Sequence, residues 1–99
     1  MTPLQARFQA VIQALGDEFT TGGATRIGLL TLSRRFRDHL PDWEVEAANR
    51  PIRALYVPYD DPTPLGAGVT TASSAWIVKK VTPLRHRNET VAKILILVP

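Results

Sequence analysis

A chain of 99 residues, 44% of them hydrophobic, can bury one modest core, so a single domain spanning 1–99 is expected. Cysteine is absent, which excludes disulfides, a cysteine zinc site and a thiol nucleophile and fits a reducing cytoplasm. Twelve Lys and Arg against nine Asp and Glu leave a charge of +3, an excess that permits polyanion contact without arguing for it.

The N-terminal stretch MTPLQARFQ lacks the charged-then-apolar order of a secretory leader. Leu4, Phe8, Val11, Ile12 and Leu15 instead follow the spacing of one helical stripe. Thr2 is placed to cap that helix, Pro3 suits its first turn and Gly16 its end, so a helix over 3–15 is expected. Gln5, Gln9 and Gln13 fall on other faces and read as the solvated side. In DEFTTGGATRIGLLTLS, Gly22-Gly23 supplies a tight turn between two strands, giving a hairpin over 18–33. Ile27, Leu29 and Thr31 then share one face, and Gly28 marks a bulge or bend in the second strand.

From 34 to 51 the alternation breaks. RRFRDHLPDWEVEAANRP sets Arg34, Arg35 and Arg37 ahead of a more acidic half with Asp42, Glu44 and Glu46, and scatters Phe36, Leu40 and Trp43 among them. Eighteen residues make a long connection for so small a domain, the kind that carries function or stays mobile. The rest is strand-like. A strand over 52–57 stops at Pro58, DDPTPLGAG is a loop, and 69–71 and 75–81 form a hairpin across Ala72-Ser73-Ser74. LRHRNET reads as a polar turn, and 90–98 closes the sequence. That last strand is apolar on both faces near its end, as a central strand is, and its apolar run 94–98 is too short to cross a membrane. The fold class expected is α+β: one N-terminal helix packed on a small, mostly antiparallel β-barrel or sandwich, with a long charged loop between early strands.

Catalytic constellations are missing from this reading. His39 and His86 lack the spacing of paired metal ligands, Asp60-Asp61 reads as loop capping, and Ser73-Ser74 lacks the G-x-S-x-G setting of a nucleophile. Gly22-Gly23 and Gly66-Ala67-Gly68 are not phosphate loops. No enzyme activity, cofactor or metal is expected. Strict alternation puts Trp76, Val78 and Lys80 on one face and Ile77, Lys79 and Val81 on the other. That makes no aromatic-basic platform for single strands, and neither does Tyr56 with Arg53, so Trp76 is expected in the core.

Together these stretches resemble the small head–tail joining proteins of tailed bacteriophages, also called head-completion or stopper proteins. The resemblance covers about 4–97 and is carried by the helix followed by GDEFTTGG, the loop VPYDDPTPLGAG and the ending AWIVKKVTPLRHRNETVAKILIL. In the family a strand pair follows G-D-x-F/V-T, and a late strand reads W/Y-x-V-x-x-V-x-P; here Trp76, Val78, Val81 and Pro83 occupy those places. The usual G-D ahead of the late hairpin is replaced by Gly66-Ala67-Gly68.

The resemblance implies a structural virion protein, made in the host cytoplasm, that forms a ring below the portal. It would touch portal or adaptor and tail proteins, help retain DNA, and stand as a monomer when isolated. In the family the long loop between early strands can project into the channel, and by position the loop 34–50 would be its counterpart. Its Arg34, Arg35, Arg37, Trp43 and Arg50 are the candidate DNA- or partner-facing residues, with DNA contact non-specific and no membrane involved. A small-barrel nucleic-acid-binding module and a different phage tail-completion protein are the alternative readings.

Overall fold

The structure, a computed structural model, describes residues 1–31, 53–72 and 74–99. One helix, α1 (Pro3–Leu15), is followed by β1 (Asp17–Thr21), β2 (Ala24–Thr31), β3 (Arg53–Pro58), β4 (Gly68–Thr70), β5 (Ala75–His86) and β6 (Glu89–Val98). The six strands form a closed antiparallel barrel in the order β1-β2-β3-β6-β5-β4, and α1 lies against the outside of β2, β3 and β6. The expected α+β architecture is therefore the observed one, as a barrel. The expected loop 34–51 lies outside the described residues.

Helix α1 starts and stops where its capping residues require. Thr2 accepts a bond from the Gln5 backbone N–H, and the Gln5 side chain accepts one from Thr2 N–H at 2.9 Å, a reciprocal box with Pro3 opening the first turn. The Thr2 hydroxyl also donates to the Glu89 carboxylate, and the Gln5 amide donates to the Thr90 carbonyl at 2.9 Å. The helix start is thus tied to the far end of the chain. Thr2→Ala is expected to lower stability by about 1 kcal/mol, the usual loss for an N-cap, measured as a lower urea midpoint with an unchanged slope.

The buried side of α1 is rotated from the expected stripe. Ile12 is buried and Leu4 and Phe8 are half-buried, but Val11 and Leu15 are 49% and 66% exposed. Gln5 and Gln9, assigned above to the solvated side, are half-buried instead, and the Gln9 Oε1 is enclosed without a partner. The cause is the barrel wall: α1 packs across β2, β3 and β6 along a line through Leu4, Gln5, Phe8, Gln9 and Ile12, with Gln5 bonded to Thr90 at its start.

Two hairpins frame the barrel. Gly22 and Gly23 both have positive φ, 57° and 81°, the backbone of a two-residue type I′ turn between β1 and β2. Arg87 and Asn88, at 51° and 65°, make the same kind of turn between β5 and β6. The stretch LRHRNET is therefore mostly strand: β5 runs on to His86, β6 begins at Glu89, and only two residues turn.

Gly28 is not a bulge. It pairs in register with Asp17, and a Cβ there would stand 2.8 Å from Leu55 Cδ1 and 3.1 Å from Phe19 Cε1. Glycine is present because the interior is full. Ile27, Leu29 and Thr31 do share a face, the outer one, while Arg26, Gly28 and Leu30 point inward beside Phe19.

The interior holds Phe19, Leu55, Val57, Val69, Trp76, Val78, Leu95 and Leu97, all buried. The outer face of β3 and β6 carries a second buried cluster of Ala54, Ile94, Ile96 and Val98. Two-sided burial of β6 follows from the barrel interior on one face and α1 against the other, and explains the continuous apolar run at its end. Trp76 is in the core as expected, its indole N–H donating to Thr71 Oγ1 at 3.1 Å. A register shift between Val78 and Lys80 breaks the simple alternation: Lys80 pairs with Ile96 of the outer face, so it does not follow Trp76 and Val78 inward.

Candidate functional site

Each end of the interior is closed by an arginine. At one end the Arg53 guanidinium lies 5.7 Å from the Trp76 ring centre. At the other, Arg26 lies 5.8 Å from the Phe19 ring centre and belongs to a polar network. That network is built by the loop after β3. Asp61 is buried and accepts bonds from the Thr63 backbone N–H at 2.9 Å and from the Thr63 hydroxyl at 2.5 Å. The same hydroxyl accepts from Arg26 Nη2 at 2.9 Å, and Lys93 Nζ donates to the Asp61 carbonyl at 2.9 Å. Arg26 Nε stands 3.1 Å from Asp61 Oδ2 without the alignment of a hydrogen bond, so that contact is Coulombic while Nη2 makes the directed bond.

This arrangement is what a structural plug looks like. The loop is fastened to β2 through Arg26, to β6 through Lys93, and to β5 through Gly66 N–H to the Val78 carbonyl at 2.7 Å and Val78 N–H to the Ala67 carbonyl at 2.9 Å. Loop capping was the expected role of Asp60-Asp61, and Asp61 performs it; the partners Arg26 and Lys93 are additional. A depression of about 280 Å³ beside the plug is lined by Gln13, Arg26, Ile27, Pro58, Asp60 and Asp61. Among the described residues, no three His, Cys, Asp or Glu side chains gather as metal ligands.

The wall closes thinly. β1 and β4 meet through the single pair Thr20 and Thr70. Beyond that rung a cleft of about 110 Å³ opens between Asp17 and Glu18 on one side and Thr71 and Ala72 on the other, with Phe19 and Leu55 at its floor. Asp17 and Glu18 fall on opposite faces of β1, Glu18 beside the outward Ile27, so among the described residues the cleft does not pair its carboxylates for acid–base work.

The longest exposed charged feature among the described residues is the outer edge of β5. Its pairing with β4 covers only Ala75, Trp76 and Ile77, and the loop bonds reach Val78. Among the described residues, β5 from Lys79 onward is paired with β6 alone. Lys79, Lys80, Arg85, His86 and Arg87 are all exposed along this edge and its turn. The last rungs, from Arg85 to Thr90, extend past the final β3–β6 pair of Pro58 and Ala92 and form a projecting tip whose β6 side, at Glu89 and Thr90, is held by the start of α1. Lysine and proline on such an edge also discourage strand-to-strand aggregation, and Pro83 is tolerated there because its missing N–H breaks no second ladder.

The residues expected to face DNA or a partner, Arg34, Arg35, Arg37, Trp43 and Arg50, lie outside the described residues, as does His39. His86 sits exposed at the β5 end. Arg53 and Tyr56, considered together above, point to opposite faces of β3: Arg53 pairs with the inward Leu97, Tyr56 with the outward Ile94. The cationic edge is hidden in the sequence because LRHRNET reads as a turn, which detaches Arg85 and Arg87 from Lys79 and Lys80. Paired alternation on either side of Arg87-Asn88 was the signal that could have joined them.

Compared with family models, with curated proteins and with solved structures, the chain gives no match.

Proposed function

We propose that this chain is a structural component of a tailed bacteriophage or prophage particle that joins head to tail as a ring subunit below the portal and helps retain packaged DNA. The observation that supports the reading is a helix-clad closed barrel whose late strand carries the resembling motif. Trp76 and Val78 fill the interior, the Lys79 bulge re-aims the strand, and Pro83 sits on the free edge.

A joining subunit needs a rigid body and attachment surfaces facing different neighbours. Exposed apolar side chains stand on several elements: Val11 and Leu15 on the helix, Ile27 on β2, Leu65 in the plug loop and Ile77 on β5. The Asp61 network supplies rigidity between them. Binding of packaged DNA in such a ring would be to phosphate, without base readout.

The test is electron microscopy of particles from a host producing the tagged chain. Ring density below the portal that carries the tag is the expected result. Intact particles lacking the tag altogether would overturn the reading.

A further inference from the structure

The free edge of β5 is more than a blunted strand. Lys79, Lys80, Arg85 and Arg87 are exposed, and none of them makes an ion pair or side-chain hydrogen bond among the described residues. Glu89, the carboxylate across from His86, is already engaged by Thr2. From Lys79 to His86 the strand rises about 3.3 Å per residue, roughly 23 Å in all, with Arg87 in the turn just beyond. Phosphates of one DNA strand recur about every 3.4 Å of helix axis but wind around it, so a straight edge of that length meets the few that face it.

Edge protection explains Lys79, Lys80 and Pro83 but not Arg87. Arg87 has φ 51°, a left-handed conformation that glycine would adopt without penalty. A long cationic side chain kept at a strained turn, at the tip of a projecting hairpin, is the mark of a position held for contact.

We propose that the edge and turn 79–87 form a docking ridge for the phosphate backbone of a nucleic acid. Two features favour nucleic acid over an acidic protein. The stretch contains no aromatic residue and no exposed large hydrophobic side chain, Ile77 lying just before it, so it lacks the apolar centre of a protein interface. Lysine is depleted at protein interfaces but is a standard phosphate contact. The ridge reads charge and spacing, not sequence. It does not rest on the head–tail reading, and each test can fail alone.

The experiment is fluorescence anisotropy with a labelled random-sequence duplex between 25 and 200 mM KCl. The starting protein is the full chain carrying R34A/R35A/R37A, so that those cations do not contribute. Four ridge contacts predict a slope of log affinity against log salt near about −3.6, since each phosphate neutralised contributes about −0.9. K79A/K80A should flatten the slope by about 1.8 and R87G by about 0.9. R87G should also leave the melting temperature unchanged or raised, because it relieves the left-handed arginine, and so separates lost binding from lost fold. No binding at 25 mM KCl, a slope indifferent to both variants, or competition by polyglutamate equal to that by unlabelled duplex would each overturn the proposal.

Discussion

Gly16→Ala is expected to destabilise the protein by about 3 kcal/mol or more, near the upper end of overpacking effects. An added Cβ would stand 2.4 Å from the Ile12 carbonyl oxygen and 2.6 Å from the Gly28 carbonyl oxygen. Both are backbone atoms, so no rotamer change gives relief. Gly16 also closes α1 by donating to Ile12 at 2.8 Å, and the next residue starts β1. The methyl group must therefore push the helix end away from β2 or unwind its last turn. For a domain of about 100 residues, 3 kcal/mol corresponds to a fall in melting temperature of roughly 12–24 °C. Urea unfolding with an unchanged slope measures it, and a loss under about 1 kcal/mol would show that helix and sheet separate freely at this point.

Asp61→Ala is expected to cost about 2–3 kcal/mol, set by what it leaves unpaired. The substitution removes the acceptor for the Thr63 N–H and hydroxyl and the countercharge of Arg26. Because the Arg26 side chain is 30% exposed, water recovers part of its charge, which keeps the figure below that of a fully buried pair. Asp61→Asn keeps an acceptor for Thr63 and loses only the charge, so it should cost roughly half as much. Equal losses in the two variants would mean that the charge, not the hydrogen-bonded turn, holds the loop. Thermal unfolding of the pair decides between them.

How far the fold was legible follows from which forces are local. The helix limits are written in Thr2, Pro3 and Gly16, and the first hairpin in Gly22-Gly23, because caps and tight turns are set by neighbours in sequence. What failed was anything decided by a partner distant in the chain. The buried side of α1 departs from its apolar stripe because the helix answers to the distant strands β2, β3 and β6, Gln5 bonding Thr90. Gly28 looked like a bulge because Leu55 and Phe19, which crowd it, lie elsewhere in the sequence. The inward placement of Arg26 ran against the rule that charge faces out, and became intelligible only once Asp61 and Thr63 folded over it. The cationic ridge is hidden for a related reason: register shifts at Lys79 and between Leu84 and Arg85, with a turn of Arg87-Asn88 that contains no glycine, disguise a long strand as a short one plus a loop.

The meeting of β1 with β4 through Thr20 and Thr70 has a kinetic meaning. Both hairpins can zip locally from their two-residue turns, whereas this rung joins positions fifty residues apart and pays loop-closure entropy for a single pairing. The cylinder is therefore expected to close there last during folding and to part there first, with amide exchange faster in the strands flanking that rung than in the β3–β6 ladder as the measurement that checks it.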